Sequence, residues 1–382
     1  MNSTDKLFLL DAYALIYRSY YAFIKNPRIN SKGFNTSAIL GFVNTLEEVL
    51  KKENPTHIGV AFDPSGPTFR HEAYEQYKAQ REETPEAIRL SVPIIKDIIR
   101  AYRIPILEVS GYEADDVIGT LATEAGRQGI ITYMMTPDKD YGQLVSDNVF
   151  MYRPKHSGGF EVMGIEEIKN KFNIRSTEQV IDMLGLMGDS SDNIPGCPGV
   201  GEKTAQKLVA EFGSIENLLA HTDQLKGALK TKVEANREMI TFSKFLATIK
   251  VDVPIKLDMT TLVREEPDEE KLRKIFEELE FRTLIDRVLK KSGAPLSSSS
   301  NSVSPDLYAG TLFARPVDSP TPENNGPVQG DLFANFADNG TGNAENSNLT
   351  HLEMLDVDYQ LIDTEEKRSE IIQKLLTTEI LS

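Results

Sequence analysis

The stretch Gly111-Tyr-Glu-Ala-Asp-Asp-Val-Ile-Gly-Thr-Leu-Ala122 is the reference point for the rest of the chain. Its three carboxylates, Glu113, Asp115 and Asp116, fall within four residues, and apolar residues at helical spacing follow at once. The acids therefore lie in the first turn of a predicted helix, where the positive end of the helix dipole favours negative charge. Taken alone, the cluster is consistent with either a well-capped helix start or a metal-binding turn.

Short apolar runs elsewhere in the chain predict buried strands, and acids follow them. The predicted strands are 7–10, 57–62, 104–109 and 130–135, with helices at 37–50 and 85–102 between them. This alternation predicts a parallel, twisted α/β sheet with helices on both faces. Ligand sites in such sheets lie at the carboxyl ends of the strands. The acids at those ends are Asp11, Asp63, the Glu113 cluster, and Asp138 with Asp140.

From about residue 164 the pattern becomes helical and contains a Gly/Pro-rich hairpin at 188–205. Asp189 and Asp192 lie at its start. A Gly-x-Gly turn between two helices presents backbone N–H groups that suit phosphate oxygens, and lysines on the next helix add positive charge. The residues concerned are Gly199, Val200, Gly201, Lys203 and Lys207.

Such a density of carboxylates needs counter-ions, and oxygen ligands suit hard cations such as Mg²⁺ or Mn²⁺. With one Cys and five scattered His, a zinc site is disfavoured. Two hard cations can activate water and stabilise the leaving oxygen of a phosphodiester. We assign Asp63, Glu113, Asp115 and Asp116 to one metal and Asp138, Asp140, Asp189 and Asp192 to the second, with Asp11 acting directly or through water.

Basic and aromatic residues interleave over 69–81, between the second strand and the next helix. A helix places several of them on one face, where cations suit phosphates and rings suit the bases of a single strand. A solvated amphipathic helix is the alternative for this segment. The candidate residues are Arg70, Tyr74, Tyr77, Lys78 and Arg81, and Arg18 has a similar status.

Composition sets the remaining limits. The net charge of -16 is uneven, because residues 293–382 hold fourteen Asp/Glu and four Lys/Arg. The first 292 residues therefore leave room for a basic face beside an acidic pocket. The single Cys fits a reducing cytosol, and no apolar run approaches the roughly 18 residues that span a bilayer. Residues 293–350 have the composition of a disordered linker, and structure resumes in 351–382.

Together these motifs resemble the 5′-nuclease (flap endonuclease) superfamily, and within it the 5′–3′ exonuclease domains at the N-terminus of bacterial DNA polymerase I. The match covers about residues 5–290. It rests on Leu10-Asp11, Val60-Ala-Phe-Asp63, Tyr77-Lys78-x-x-Arg81, Gly111-Tyr-Glu-Ala-Asp-Asp116, Asp138-Lys-Asp140 and the long block from Met187 through Ala205. The resemblance implies a PIN-like sheet followed by a helical subdomain with a helix-hairpin-helix (helix-3-turn-helix) motif.

The resemblance also implies an activity. It implies a metal-dependent enzyme that removes 5′ flaps and RNA primers, with segment 64–90 arching over a threaded 5′ strand. The hairpin at 199–201 then holds the duplex, often with a bound K⁺. By position, Arg70 and Lys78 match the residues that reach the scissile phosphate. Pro137 departs from the common glycine but removes no ligand.

The implied layout is a nuclease core at 1–163, a DNA-binding subdomain at 164–292, a linker at 293–350 and a truncated 3′–5′ exonuclease-like domain at 351–382. We expect a monomer in the bacterial cytoplasm, associated with the nucleoid and not with a membrane, that lacks proofreading and polymerase activity. A linker segment resembles a sliding-clamp peptide through Gln329, Leu332 and Phe333. A related metal-dependent RNase and a non-catalytic DNA-structure binder remain as alternatives.

Overall fold

The computed structural model describes residues 5–155 and 158–289. Its strands are β1 (Lys6–Asp11), β2 (His57–Ala61), β3 (Ile106–Leu107), β4 (Ile131–Met135), β5 (Val149–Pro154) and β6 (Phe160–Met163). They form one sheet in the order β3-β2-β1-β4-β5-β6. All neighbouring pairs are parallel except β5 with β6, which closes one edge in antiparallel fashion. The predicted parallel α/β sheet is confirmed, with one antiparallel strand added.

Helices follow most strands and then dominate the chain after residue 164. In the described residues they are α1 (Ala12–Ala22), α2 (Ser37–Lys52), α3 (Phe69–Ala73), α4 (Glu86–Ala101), α5 (Ala114–Arg127), α6 (Ile165–Phe172), α7 (Gln179–Met187), α8 (Glu202–Phe212), α9 (Ile215–Ala220), α10 (Gly227–Ala235), α11 (Arg237–Ala247), α12 (Glu269–Glu278) and α13 (Arg282–Leu289). A 3₁₀ helix covers Lys139–Leu144. No helix in these ranges is both long and apolar enough to cross a bilayer.

The central strand β1 is apolar throughout because both of its faces are buried. Phe8 and Leu10 point into the core beneath α1, α2 and α4. Leu7 and Leu9 point into the opposite core, which α5 covers. Strand β1 therefore lies at the centre of a three-layer arrangement, and its last residue emerges at the carboxyl edge of the sheet.

Two features of the sheet differ from the sequence prediction. The third strand shortens to β3 because Pro105 has no N–H for a strand ladder, although its carbonyl still accepts a hydrogen bond from Val60 N at 3.0 Å. The second difference is that β5 and β6 were not predicted. They follow the Asp138/Asp140 motif in the chain and form the far edge of the sheet.

The helical part is continuous with the sheet. Helices α7, α8 and α11 bury residues in the same core as α5. Helix α12 instead packs Leu272 and Phe276 into the core beneath α4, and Ile58 N donates a hydrogen bond to Leu262 O at 2.8 Å. Residues after 262 therefore contact the α/β part again. The predicted linker, the predicted terminal domain and the clamp residues Gln329, Leu332 and Phe333 lie outside the described residues.

Candidate active site

Acids gather at the carboxyl ends of three adjacent strands. Asp11 is the last residue of β1, and Asp63 and Asp138 follow shortly after β2 and β4. Because β1 lies between β2 and β4, three acids that are distant in sequence come to one edge of the sheet. Asp63 Oδ1 accepts a hydrogen bond from Ala114 N at 2.7 Å, which joins this edge to the first turn of α5.

The first turn of α5 is both a capped helix start and part of the acid site. Glu113 is the N-cap residue, and its backbone N–H donates to Asp116 Oδ2 at 3.1 Å. Glu113 is 5% exposed and Asp116 is fully buried. Asp115 keeps more solvent access, with 25% of its side chain exposed. One turn therefore holds acids in two different environments.

Asp189 and Asp192 lie on a tight loop that closes between α7 and the Gly/Pro-rich hairpin. Asp189 and Ile194 exchange two backbone hydrogen bonds, at 2.9 and 2.8 Å. Gly188, which precedes the loop, has φ +72°, and a Cβ there would lie 2.4 Å from the Ile194 carbonyl oxygen. Only glycine fits both the backbone angle and this close approach, so Gly188 sets the path of the loop.

Four of the nine acids make ion pairs of 3.0 Å or less with Lys or Arg, and we call them the cation-paired group. Asp115 Oδ1 lies farther from a cation, 3.9 Å from Arg70 Nη1. Arg70 contacts Asp116, Lys139 Nζ lies 3.0 Å from Asp189 Oδ2, and Lys78 Nζ lies 2.7 Å from Glu113 Oε1. Lys78 also lies 3.6 Å from Asp192 Oδ2, and Arg81 contacts the same side chain. The group is Glu113, Asp116, Asp189 and Asp192.

These ion pairs govern the protonation of Glu113 and Asp192. Burial disfavours the charged form of Glu113, but Lys78 and Arg70 outweigh it and hold its pKa below the ordinary value. For Asp192, burial is likewise outweighed by Lys78 and Arg81, which lower its pKa to about 2. Both side chains are therefore carboxylates at neutral pH.

The other five acids make no hydrogen bond with Lys or Arg in the described part of the chain, and we call them the cation-deficient group. Burial and the neighbouring Asp63 raise the pKa of Asp11 to about 7. Burial and adjacent carboxylates also hold the pKa of Asp115 and of Asp140 well above the ordinary value. The group is Asp11, Asp63, Asp115, Asp138 and Asp140, and loss of hydration raises the pKa of Asp63 and Asp138 as well.

The donor chemistry of the cation-deficient group fits hard divalent cations. Asp115 Oδ1 and Asp140 Oδ1 are buried oxygens that no protein donor reaches in the described ranges. Carboxylate oxygens are the ligands that Mg²⁺ and Mn²⁺ prefer. No three acid, His or Cys side chains of the described residues converge into a ready-made metal cluster. Repulsion between the carboxylates favours such separation until a cation offsets it.

The segment after α3 lies directly on the loop of Asp189 and Asp192. Lys78 N donates to the Asp192 carbonyl at 3.0 Å. The Tyr77 hydroxyl lies within hydrogen-bond distance of Glu113 Oε2 at 2.9 Å and Asp192 Oδ2 at 3.1 Å, and its single proton is donated to one or the other. Tyr77 is only 3% exposed. Its ring is therefore not available to stack on a base in this conformation, and the segment predicted to arch over a strand is closed onto the acids.

Arg70 and Asp116 differ most from the sequence prediction. Arg70 is 1% exposed and contacts Asp116 through two hydrogen bonds of 2.8 Å. Neither side chain reaches the solvent-accessible part of the site. The geometry therefore favours a structural ion pair over the predicted phosphate contact by Arg70 and the predicted metal ligand at Asp116.

The hairpin predicted to hold a phosphate backbone is present as a turn before α8. Gly199 has φ +76°, and Val200 N donates to the Cys197 carbonyl at 2.9 Å. Val200 is 3% exposed and packs into the core, and its N–H is already used by the Cys197 carbonyl, so the predicted DNA contact by Val200 does not fit this geometry. The exposed positions are Gly199, Gly201, Lys203 and Lys207. Cys197, the only cysteine of the chain, is buried behind this turn.

Two further predicted contacts lie away from the acids. The Tyr74 ring packs edge-on against Phe242 of α11 with centroids 5.6 Å apart. Arg18 on α1 donates to the Lys155 carbonyl at 3.0 Å, and burial beside Arg153 lowers its pKa to about 10.

Sequence reasoning missed two residues that touch the acids. Lys139, within the Asp-Lys-Asp motif, pairs with Asp189, and the Tyr141 hydroxyl donates to Asp11 Oδ2 at 3.3 Å. The position of Lys139 between Asp138 and Asp140 was the available signal for its role.

Two family models match consecutive parts of the chain. The 5′–3′ exonuclease N-terminal resolvase-like domain matches residues 6–173, and the 5′–3′ exonuclease C-terminal SAM fold matches residues 175–270. The second match covers the helices that carry the hairpin. Together the two models account for the sheet, the acid site and most of the helical part.

Individual proteins agree with the family models. A 5′–3′ exonuclease of Aquifex aeolicus is 37% identical over 284 residues, covering 74% of this chain and 95% of that protein. DNA polymerase I of Bacillus caldotenax is 41% identical over 286 residues, so the chain spans about a third of that relative, 32% of its length. A bacteriophage T5 flap endonuclease, solved with DNA and metal ions, has the same fold at a TM-score of 0.52 and 23% identity, covering 72% of this chain and 99% of that one.

Proposed function

Because this chain belongs to the 5′–3′ exonuclease family, we propose that residues 5–289 hydrolyse phosphodiester bonds at 5′ ends and 5′ flaps of DNA, RNA primers included. Two or more Mg²⁺ or Mn²⁺ ions serve as cofactors. The cation-deficient group carries the proposal, because Asp115 and Asp140 each present a buried carboxylate oxygen without a protein donor. The family's T5 member, solved with DNA and metal ions, supports it.

The division of work follows from the two acid groups. Asp11, Asp63, Asp115, Asp138 and Asp140 hold the cations, and Asp189 and Asp192 border them. The bound cations supply an activated water and stabilise the leaving oxygen. Lys78, whose pKa nearby acids raise above its ordinary value despite burial, stays protonated and stabilises the phosphate as negative charge develops. Arg81, 40% exposed next to Asp192, is better placed than Arg70 to assist it.

The hairpin and its lysines hold the DNA duplex in this proposal. The exposed residues Gly199 and Gly201 precede α8 with their backbone N–H groups, and Lys203 and Lys207 are exposed on that helix. Such groups bind phosphates without reading sequence. A K⁺ ion at the hairpin is consistent with this role. Arg18 lies on α1, on the opposite side of β1 from α5, and gives the DNA a second contact.

One cleavage assay tests the function. A 5′-flap duplex labelled on the flap strand should be cut by the wild-type chain in Mg²⁺ and left intact in EDTA. Binding without any cutting in Mg²⁺ would identify a non-catalytic DNA-structure binder. Cleavage of single-stranded RNA with no preference for a flap would identify the related RNase. Comparing flap, nick and RNA-primer substrates under the same conditions then ranks the preferred substrate.

Location, oligomeric state and partners are proposed from the relatives and from the sequence, not from the geometry of the site. By analogy with the DNA polymerase I relatives, we propose that the protein acts as a monomer in the bacterial cytoplasm, at the nucleoid. We also propose that Gln329, Leu332 and Phe333 bind the sliding clamp. A peptide spanning them should bind purified clamp, and Leu332→Ala with Phe333→Ala should remove binding. Unchanged affinity in the double variant excludes this contact.

A further inference from the structure

We propose that Arg70 and Asp116 are a positioning pair that holds the acid-bearing turn of α5 against α11 and the start of the Lys78 segment. The inference builds on the proposed nuclease function, and it assigns neither residue a direct contact with metal or DNA. It rests on the hydrogen-bond capacity of the two side chains, which the surrounding protein fills completely.

All four acceptor positions of the Asp116 carboxylate are occupied. Oδ1 accepts from Arg70 Nη2 and from Lys250 N, both at 2.8 Å. Oδ2 accepts from Arg70 Nη1 at 2.8 Å and from Glu113 N at 3.1 Å. A carboxylate offers about four lone-pair sites. A cation at Asp116 would therefore have to displace a protein donor in a fully buried position, whereas Asp115 Oδ1 has no donor to displace.

All five N–H donors of Arg70 are also in use. Besides the two bonds to Asp116, Nη1 donates to Glu113 Oε2 at 3.1 Å. Nε donates to the Leu246 carbonyl and Nη2 to the Thr248 carbonyl, each at 2.9 Å. A guanidinium has five donors and no acceptor, so Arg70 has none left for a phosphate oxygen.

The pair joins three elements that are far apart in sequence. Arg70 lies in α3, Asp116 in the first turn of α5, and the two carbonyls at the end of α11. Its contact with Glu113 Oε2 leaves Oε1 free for Lys78 Nζ at 2.7 Å. The pair therefore sets the orientation of Glu113 and, through it, the position of Lys78. Mutating a residue that orients active-site side chains in this way typically lowers activity by about 10–100-fold.

Asp116→Asn and Arg70→Lys test the inference, with Asp115→Asn as the matched control one residue away. We expect Asp116→Asn to bind the same number of Mn²⁺ ions as wild type in electron paramagnetic resonance titrations, while Asp115→Asn loses at least one. On a flap duplex, Asp116→Asn and Arg70→Lys should each lower kcat by about 10–100-fold. KM for DNA should stay unchanged.

The kcat of the double variant shows whether Arg70 and Asp116 act as one pair or in two independent roles. The double variant should be no slower than the slower single variant, because both substitutions break one unit. Loss of a Mn²⁺ ion in Asp116→Asn, additive losses of kcat, or an unchanged kcat with only a lower Tm would each overturn the inference.

A measurement on the unmodified protein covers the case in which a variant does not fold. In ¹⁵N-labelled wild-type chain, the Arg70 Nε–H signal should stay protected from solvent exchange when Mg²⁺ and a 5′-phosphorylated product duplex are added. Loss of protection would show that Arg70 leaves Asp116 to reach the phosphate. The failures of the two proposals are distinguishable, because neither the Arg70 signal nor Mn²⁺ binding requires cleavage. A wild-type chain that cuts no DNA would refute the proposed nuclease function, whereas the Arg70 signal and the Mn²⁺ titrations would still test the positioning pair.

Discussion

The cation-paired and cation-deficient groups both consist of carboxylate side chains in one site, but they differ in whether a Lys or Arg side chain offsets their negative charge. Glu113, Asp116 and Asp189 are at most 5% exposed, and each contacts Lys or Arg. The cation-deficient acids keep more solvent access, and within the described ranges their one ion pair is the long contact of 3.9 Å between Asp115 Oδ1 and Arg70 Nη1. An unpaired charge is too costly to bury fully. The protein therefore supplies cations where burial is deep, and under the proposed function the more open positions take metal ions from solution.

Removing an acid from the cation-deficient group should have the largest effect. Asp115→Ala or Asp138→Ala should abolish cleavage of a labelled flap duplex in Mg²⁺, because each removes ligand oxygens. DNA binding, measured by fluorescence anisotropy in EDTA, should survive. A variant that cuts at the wild-type rate contradicts the assignment of these acids to the metals.

Removing the cation from the paired group should have the next largest effect. Lys78→Ala should lower the single-turnover rate by about 10²–10³-fold, as loss of a transition-state donor does in other enzymes. Its Mn²⁺ stoichiometry should not fall, since Lys78 is not a ligand. Arg89→Ala is the matched control, because that side chain is 71% exposed on α4. Equal rates for the two variants would remove Lys78 from the chemistry.

A backbone change in the loop of Asp189 and Asp192 tests whether the position of these two cation-paired acids matters. Gly188→Ala should destabilise the chain by about 1–3 kcal/mol in urea unfolding, since it combines positive φ with a backbone clash. Gly213→Ala is the control, because Gly213 has φ +80° but nothing within 4 Å of a Cβ. We expect about 1 kcal/mol there and no change in cleavage. If both variants lose activity equally, the loop geometry is not the cause.

The smallest effect is expected outside both groups. Lys203→Ala and Lys207→Ala should each weaken DNA binding a few-fold and reduce the slope of log affinity against log salt by about 1. The single-turnover rate at saturating DNA should stay constant. A lower rate at saturation would place these lysines near the reacting phosphate and blur the division of roles.

The fold was largely predictable because local signals carried it. Continuous apolar runs marked β1, β2 and β4, and the acids at their ends marked the functional edge of the sheet. Strands β5 and β6 were missed because no acid motif directly follows them. Strand β5 includes Arg153 and Pro154, and the edge strand β6 fully buries only Met163. Burial patterns at a sheet edge are weaker than in its centre.

The sequence predicted which acids lie in the candidate site, but it did not predict which of them pair with Lys or Arg. Spacing alone left Asp116 open to interpretation as a helix cap or as a metal ligand. Arg70 decides the matter through the carbonyls of Leu246 and Thr248, which lie more than 170 residues away in the chain. A local sequence pattern cannot predict a contact between residues so far apart in the chain. Tyr77 was misjudged for a similar reason, since its hydroxyl contacts Glu113 and Asp192, which are distant from it in the chain.

The position of Cys197 has a practical consequence. This thiol is 2% exposed, and burial raises its pKa, so it is poorly reactive toward maleimides at neutral pH. Because the chain has no other cysteine, a thiol introduced at an exposed position becomes a selective attachment point for a dye. One dye on the Lys78 segment and one on α8 would report, molecule by molecule, whether the segment opens when DNA arrives.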